Sequence, residues 1–147
     1  VIRVLDPHVP DVMMDARQME QVVINITNNA VFAMKESVGN MEHAGVLRKG
    51  ELTVGSRFHA YKECVEIFIK DTGVGISKNV LRKIFDPFFT TRKDGKGTGL
   101  GLSISYGIVK MHDGSIEVDS EIGKGTTFRI FLPLKAKKEQ EMCVIKL

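Results

Sequence analysis

The residues best suited to chemistry form a glycine-rich run, Gly97-Thr98-Gly99-Leu100-Gly101-Leu102. Polar residues precede the run, and a strongly helical segment follows it. A flexible loop that leads into a helix presents backbone N–H groups and the positive end of the helix dipole, and both attract anions. The run therefore predicts a polyphosphate site, although glycines in such a loop can also serve a turn alone. It is neither a P-loop, since no Gly-Lys-Ser/Thr ends it, nor a Rossmann fingerprint, since no βαβ unit surrounds it.

Two asparagines four residues apart, Asn25 and Asn29, share one face of a predicted helix. Asparagine is a poor residue for a helix interior, because its amide competes for backbone hydrogen bonds. Amide oxygens are hard ligands that suit Mg²⁺ beside phosphates. The pair therefore indicates a metal or phosphate site, and the alternative is a helix face that hydrogen-bonds neighbouring loops.

A carboxylate, Asp71, follows a predicted strand and precedes Gly73 and Gly75. A carboxylate in this position can accept a hydrogen bond from an exocyclic amine, while the glycines allow a ring to approach the backbone. The alternative is a turn in which Asp71 satisfies only local N–H groups.

The segment from Phe85 to Lys93 combines three phenylalanines around Pro87 with the sequence Thr90-Thr91-Arg92-Lys93. The aromatic residues, Phe85 above all, favour anchoring of a loop to the core. The hydroxyls and cations suit either a segment that closes over phosphates or an ordinary solvated loop. Among the histidines, His112 is followed by Asp113, which is a possible phospho-acceptor pair. A cation at a helix C-terminus is the simpler interpretation of His112.

Hydrophobic periodicity predicts strands that pair through short turns and helices that separate the pairs. The predicted strands are 1–5, 51–59, 64–70, 115–120 and 126–132, and the predicted helices are 16–37, 78–84 and 102–112. Residues 39–50 are predicted to form a loop. This order favours an α+β sandwich in two layers, with a mixed, mostly antiparallel sheet and helices on one face. Alternating polar residues (Glu66, Lys70, Glu117 and Asp119) predict that the other face meets water.

The 147 residues suit one domain, predicted as residues 1–134, followed by a charged C-terminal tail, 135–147. A net charge of +3 without a basic stripe argues against a nucleic-acid partner. The two cysteines, Cys64 and Cys143, have no metal-binding spacing and favour a reducing, cytoplasmic compartment. No leader and no apolar run of about 18 residues is present. Because the chain starts inside a predicted strand, we expect further sequence upstream.

Five stretches together resemble the boxes that define the catalytic and ATP-binding domain of bacterial sensor histidine kinases, in the same order. That domain belongs to the superfamily shared with DNA gyrase B, Hsp90 and MutL. The stretches are Gln21–Ala30 (N box), Asp71–Ile76 (G1), Ile84–Thr91 (F box), Gly97–Leu102 (G2) and Gly123–Phe128 (the closing glycine–threonine motif). The wording of the F box is most similar to the nitrogen-regulatory type of kinase. The resemblance covers residues 6–133 and implies the Bergerat fold, with an ATP lid over residues 86–96.

The resemblance also implies a role for each matching residue. Asp71 would read the adenine amine, Gly73 and Gly75 would shape the base pocket, and Asn29 would bind Mg²⁺ with Asn25 assisting. Arg92 or Lys96 would approach the γ-phosphate. The other residues implied in ATP binding are Ile76, Phe89, Thr90, Thr91, Gly97, Thr98, Gly99, Leu100, Gly101, Leu102 and Thr126.

Two positions depart from the family pattern. Gyrase-like members carry a glutamate that activates water where this chain has Asn25, and an amide cannot act as a general base near neutral pH. This departure favours a kinase with an external acceptor over a hydrolase. Many kinases carry Lys or Arg where this chain has Phe32, so the cation for the γ-phosphate must come from elsewhere, either Lys35 or the lid.

The resemblance therefore predicts a histidine kinase domain that binds ATP and Mg²⁺ and does not phosphorylate itself in isolation. The acceptor histidine is expected on an upstream helical dimerisation domain, and a response regulator receiver domain would take the phosphate. The isolated domain is expected to be a monomer and the full-length protein a homodimer, with membrane contact only through segments outside this chain. The alternatives are a serine kinase of the anti-sigma type and a non-catalytic nucleotide-sensing module with the same fold.

Overall fold

The structure, a computed structural model, describes residues 1–43, 50–92 and 97–134. Three predictions fall outside these residues: the role of Lys96, the environment of Cys143 and the nature of the 135–147 tail. Part of the predicted loop (44–49) and part of the predicted lid (93–96) also lie outside them.

A five-stranded sheet forms one layer of the described structure. Its strands are β1 (Ile2–Leu5), β2 (Leu52–His59), β3 (Cys64–Asp71), β4 (Ser115–Glu121) and β5 (Gly125–Pro133). Their spatial order is β1-β2-β3-β5-β4, and within this order β1 is parallel to β2 while the other neighbours are antiparallel. The prediction of a mixed, mostly antiparallel sheet is confirmed. A 3₁₀ turn, Ala60–Lys62, joins β2 to β3 as the predicted hairpin.

The register of the central strand brings two predicted site residues together. Asp71, the last residue of β3, lies opposite Thr126 at the start of β5 and opposite Leu52 on the other side. Directly opposed residues in an antiparallel pair point to the same face of the sheet. Asp71 and Thr126 are therefore neighbours, although they are far apart in the sequence.

Helices form the second layer, and they are α1 (Ala16–His43), α2 (Lys78–Leu81) and α3 (Gly101–Met111). Asp15 caps α1, because its Oδ1 accepts hydrogen bonds from the Arg17 and Gln18 N–H groups at 2.9 and 3.1 Å. The prediction that α1 ends at Ser37 was wrong, since the helix runs through Gly39 to His43. One glycine in a helix costs about 1 kcal/mol relative to alanine, which is too little to end it.

The second helix is shorter than predicted. After Leu81 the chain forms tighter turns, in which Lys83 N–H donates to the Val80 carbonyl and Asp86 N–H donates to the Lys83 carbonyl. Such i to i−3 hydrogen bonds are typical of a helix end that leads into a proline. The result is a compact corner that leads into residues 89–92, which line the cleft described below.

The core lies between the two layers and follows the predicted helical stripe of α1. Its buried members are Met19, Val22, Ile26 and Ala30 of α1, Ile108 and Val109 of α3, Leu52, Ile69, Phe128, Ile130 and Leu132 of the sheet, and Ile84. This packing fixes α1 and α3 side by side on one face of the sheet, as the sequence predicts.

The opposite face of the sheet differs from the prediction at Glu66. Lys70, Glu117 and Asp119 are exposed, but Glu66 is only 3% exposed. Its carboxylate lies 2.6 Å from His59 Nε2, 3.4 Å from Arg129 Nε and 3.8 Å from Arg57 Nη1. Long side chains from β2 and β5 cover this carboxylate, and alternation along one strand cannot reveal such cross-strand contacts.

Candidate functional site

A cleft opens where α1 and the start of α3 meet the C-terminal end of β3. It consists of one cavity of about 440 Å³ and a second of about 220 Å³. Both cavities are lined by Asn29, Ile84, Phe89, Thr90, Arg92 and Leu102, so they are two compartments of one site. The larger cavity is walled mainly by apolar residues, whereas asparagine amides and glycine backbone line the smaller one.

Asp71 lies in the wall of the larger cavity and is 3% exposed. Its Oδ1 accepts a hydrogen bond from the Gly73 N–H at 2.8 Å. Burial raises the pKa of this carboxyl group above its ordinary value, while hydrogen bonds from the Gly73 and Thr126 backbones oppose the shift. A buried carboxylate with one oxygen engaged by the backbone can use the other to accept a hydrogen bond from a ligand.

The loop after Asp71 is fixed by contacts that the sequence does not reveal. Ile76 N–H donates to Ser120 Oγ at 2.8 Å, and Ser120 Oγ lies 2.9 Å from Thr126 Oγ1. Gly75 has φ of 73°, and a Cβ there would lie 2.1 Å from the Glu121 carbonyl oxygen, so no other residue fits. Ser120 thus links the two strands β4 and β5 to the loop that walls the cavity.

The N-terminus of α3 faces the smaller cavity. Its N-cap, Leu100, makes no side-chain capping hydrogen bond, and Gly97, Thr98, Gly99 and Gly101 line the cavity. The first N–H groups of a helix have no intrahelical partner, and without a side-chain cap they can bind an anion. This arrangement suits an anion, and the polyphosphate site that the glycine run predicts stays a prediction.

Asn25 fastens α1 to α3. Its Nδ2 donates to the Gly101 carbonyl at 3.0 Å and to Ser105 Oγ at 3.2 Å, and its Oδ1 accepts from Gln21 Nε2 at 2.9 Å. Both ends of the amide are therefore engaged within the protein. Asn25 lines the smaller cavity but is better suited to holding the start of α3 than to binding a metal ion.

Asn29 accepts a hydrogen bond from Arg92, which follows the F box. Arg92 Nη2 donates to Asn29 Oδ1 at 2.9 Å, and the guanidinium carbon lies 4.1 Å from the centre of the Phe32 ring. Phe32 occupies the position at which the family resemblance leads one to expect a cation. The positive charge missing from position 32 is thus supplied to the same place by Arg92.

No cluster of three or more His, Cys, Asp or Glu side chains that could hold a metal ion occurs in the part of the chain that the structure describes. The donor set at the cleft instead offers an amide oxygen, Asn29 Oδ1. Mg²⁺ in nucleotide sites is commonly bound by one or two protein oxygens together with substrate phosphates and water. The residues present fit a Mg²⁺ ion that arrives with a nucleotide.

The chain matches the family model described as "Histidine kinase-, DNA gyrase B-, and HSP90-like ATPase" over residues 14–136. The match spans both layers of the fold and all the residues of the cleft. The chain belongs to this family.

Relatives of this ATPase-family domain are sensor kinases. It is 46% identical to the sensor kinase CckA of Brucella abortus, over 81% of this chain and 13% of that protein. It is 36% identical to sporulation kinase E of Bacillus subtilis (90% and 16%) and to the sensory histidine kinase/phosphatase NtrB of Vibrio alginolyticus (88% and 35%). The finer resemblance to the nitrogen-regulatory type stays a prediction, because NtrB is no more similar than the others.

A solved structure of a histidine kinase catalytic domain also resembles this chain. The nucleotide-free catalytic domain of histidine kinase ThkA is 28% identical and superposes with a TM-score of 0.72, over 93% of this chain and 80% of that one. The chain is therefore an ATP-binding catalytic domain of the sensor histidine kinase type, and the predicted fold is confirmed. It spans between about an eighth and a third of the length of the three curated relatives. None of its described helices is long and apolar enough to cross a membrane.

Most of the site residues predicted from the sequence line the cleft. Those that line it are Asn25, Asn29, Asp71, Gly75, Ile76, Phe89, Thr90, Thr91, Arg92, Gly97, Thr98, Gly99, Gly101, Leu102 and Thr126. Gly73 and Leu100 do not line either cavity; the Gly73 N–H donates to Asp71, and Leu100 is the N-cap of α3.

Sequence reasoning missed several wall residues of the larger cavity. They are Ala30, Ala33, Glu36, Val74, Ser77, Val80, Ile84, Ile122 and Phe128. A helical projection from Asn29 could have found Ala33 and Glu36, which lie four and seven residues further along the same face. Ile122, in the turn between β4 and β5, has no comparable signal.

The three phenylalanines of the F box separate into different roles. Phe85 packs against Tyr106 of α3 with ring centres 5.2 Å apart, as predicted for a core anchor. Phe89 lines both cavities, whereas Phe88 is 75% exposed. Core anchoring is thus confirmed for Phe85, for which it was predicted above all, and Phe88 does not share it.

His112 lies at the C-cap of α3, as the sequence predicts, and makes two contacts that the sequence does not reveal. Its Nε2 accepts the Asp15 N–H at 2.9 Å, and its Nδ1 lies 2.8 Å from the Ile108 carbonyl oxygen. A backbone N–H can only donate, so Nε2 is unprotonated and Nδ1 carries the proton. Both ring nitrogens are engaged within the protein, so neither is available to accept a phosphoryl group.

Proposed function

We propose that this domain binds ATP with Mg²⁺ in the cleft and transfers the γ-phosphate to a histidine on a separate helical domain of the same protein. One observation carries the proposal: an apolar cavity with a buried carboxylate and an amide-lined cavity at an uncapped helix N-terminus meet at Asn29. The first compartment has the chemistry for a purine base and the second has the chemistry for its phosphates.

The adenine would occupy the larger cavity and donate its exocyclic amine to Asp71. Burial raises the pKa of this carboxyl group, and hydrogen bonds from the Gly73 and Thr126 backbones oppose that shift. In its ionised form the carboxylate can only accept hydrogen bonds, which suits an amine donor. Apolar side chains of this cavity, such as Ile76 and Val80, would contact the faces and edges of the ring.

The phosphates would lie in the smaller cavity against the first N–H groups of α3, with Gly99 and Gly101 allowing a close approach. Asn29 Oδ1 would ligate Mg²⁺, which neutralises phosphate charge when bound. Phosphoryl transfer depends on such positioning and charge stabilisation more than on covalent chemistry of the protein.

Transfer to an external acceptor is favoured over hydrolysis by the composition of the smaller cavity. Its described lining residues include no carboxylate and no imidazole, and Asn25 replaces the water-activating glutamate of gyrase-like members. Because the described lining of this cavity offers no general base, a water molecule there is a poor nucleophile. A histidine presented by another domain brings its own nucleophilic nitrogen.

We further propose the context that the sensor kinase relatives suggest. The ATP-binding unit comprises residues 1–134, the full-length protein is a cytoplasmic or membrane-anchored homodimer, and a response regulator receives the phosphate. The names of the relatives support this context, and the family match over residues 14–136 covers most of the proposed ATP-binding unit.

Phosphotransfer can be tested with labelled ATP and Mg²⁺. We expect no stable label on this chain alone and acid-labile label on a histidine when the acceptor helical domain is added. The acceptor with its histidine changed to glutamine is the control. Label on a serine of a partner would favour the anti-sigma type of kinase instead, and stable label on a histidine of this chain would contradict the proposal.

A further inference from the structure

The contact between Arg92 and Asn29 has a consequence for how the site binds its metal. Asn29 Oδ1 is the oxygen assigned above to Mg²⁺, yet here it accepts a hydrogen bond from the Arg92 guanidinium. We propose that Arg92 occupies the metal position in the nucleotide-free domain, and that Mg²⁺-nucleotide binds by displacing it. This inference rests on the proposed function, because it deepens the account of the same site.

Three contacts hold Arg92 in this position. The guanidinium stacks on the Phe32 ring at 4.1 Å, its Nη2 reaches Asn29 Oδ1 at 2.9 Å, and the Arg92 N–H donates to Thr90 Oγ1 at 3.1 Å. Gly97 packs beside them, since a Cβ there would lie 2.6 Å from Thr90 Oγ1 and 2.9 Å from Arg92 Cδ. Side chains of α1 and the local backbone therefore both determine where the guanidinium lies.

Phe32 acts in this arrangement as a positioning residue. An aromatic face attracts a cation within about 6 Å of the ring centre, and arginine stacks well on such a face. Phe32 and Asn29 lie three residues apart on α1, so their side chains share one helix face. Both therefore contact the same guanidinium group. A lysine or arginine at position 32 would instead repel Arg92.

The guanidinium and Mg²⁺ exclude each other at Asn29. Two cations bound to one oxygen would be separated by only a few ångströms, where their repulsion is strong in a partly enclosed site. In the free domain, Arg92 satisfies the amide oxygen that Mg²⁺ would otherwise ligate. When the metal arrives with a nucleotide, Arg92 must leave, and its side chain is then beside the smaller cavity and free to approach phosphate oxygens.

The first test examines the nucleotide-free, metal-free domain by NMR of the arginine side chains. The Arg92 Nε–H signal is expected to be displaced by the Phe32 ring current and slowed in exchange with water, unlike that of the exposed Arg82. Phe32→Leu should remove the displacement and Phe32→Tyr should retain it. An Arg92 signal indistinguishable from that of Arg82 in the unmodified domain would overturn the proposal without any reference to nucleotide.

The second test measures ADP affinity by calorimetry, with Mg²⁺ and with EDTA, so that the γ-phosphate plays no part. Arg92→Met removes the competing cation, and the improvement in ADP affinity caused by Mg²⁺ is expected to grow about fivefold. Arg82→Met is the matched control and should leave that improvement unchanged. If unmodified protein binds ADP but Arg92→Met leaves the Mg²⁺ effect unchanged, Arg92 does not compete with the metal. If unmodified protein fails to bind ADP in both conditions, the proposed function fails as well.

Discussion

At the scale of single residues, the ligand role proposed for Asp71 carries a cost in stability for the domain without ligand. Its carboxyl group is buried, and burial raises its pKa. The unfolded chain therefore ionises this group at lower pH than the folded protein does. Its contribution to stability is fully present below the pKa of the unfolded state and is lost as the pH rises through the pKa of the folded state.

Asp71→Asn should consequently increase the free energy of unfolding at neutral pH while weakening ATP binding about 10-fold or more. The amide oxygen can keep the bond to the Gly73 N–H, but the amide nitrogen would oppose the adenine amine, donor against donor. Urea unfolding at several pH values and calorimetry check this prediction. The stability difference should shrink as the pH falls below the ordinary range of aspartate, and a variant that is less stable and binds ATP normally would contradict it.

Two glycines at the start of α3, Gly99 and Gly101, differ in how much the fold depends on them. Gly99 has φ of 68°, and a Cβ there would lie 2.3 Å from the carbonyl carbon of Phe88, so Gly99→Ala should damage the fold itself. At Gly101, the nearest atom to a Cβ is Asn25 Cγ at 3.6 Å, an ordinary contact. The structure thus identifies Gly101, and not Gly99, as the position for a clean test.

Gly101→Ala should leave the free energy of unfolding equal or higher by up to about 1 kcal/mol, because alanine is the better helix residue. ATP affinity should fall several-fold, because the added methyl group lies in the cavity assigned to the phosphates. Thermal unfolding and calorimetry on the same preparation measure both quantities. Losses of stability and affinity in equal proportion would assign the glycine run to turn formation alone.

At the scale of secondary structure, the two long helices α1 and α3 are joined at both ends of α3. Asn25 holds its first turn to α1, and His112 holds its last turn to the N-cap of α1 through Asp15. The sequence could supply the helix stripe and the cap at Asp15, because both are local patterns. It could not supply the cross-helix bonds, whose partners are 76 and 97 residues apart.

His112→Ala should lower the free energy of unfolding by about 1–2 kcal/mol, because the Asp15 N–H and the Ile108 carbonyl both lose a partner. Urea unfolding measures the change. His8→Ala is the matched control, since the His8 side chain is 88% exposed and its substitution should change little. Equal stability of the two variants would show that the imidazole does not join the helices.

At the scale of the whole molecule, the order of motifs predicted the fold because each box lies on or directly beside a particular helix or strand. The alternation of apolar and polar residues, together with the short connections between strands, predicted the hairpins and the mostly antiparallel sheet. Glu66 escaped the prediction because its burial depends on side chains of β2 and β5 that cross it. The contact between Arg92 and Phe32 was not predicted either, because the two residues lie 60 positions apart in the sequence.

The domain boundary gives a prediction at this scale. A chain ending at Leu134 should bind ATP with unchanged affinity, because the described walls of both cavities come from residues 25–128. Calorimetry on the full and shortened chains makes the comparison. A large loss of affinity on removing 135–147 would mean that the ATP-binding unit extends beyond residue 134.

The central claim is that the cleft is an adenine nucleotide site read by Asp71, and the preference for ATP over GTP tests it most directly. Guanine carries a carbonyl oxygen where adenine carries the amine, and that oxygen would face a buried carboxylate. Calorimetry with Mg²⁺ should give ATP binding at one site per chain and GTP binding weaker by about 100-fold or more. Equal affinities for ATP and GTP, or no binding of ATP, would contradict the account.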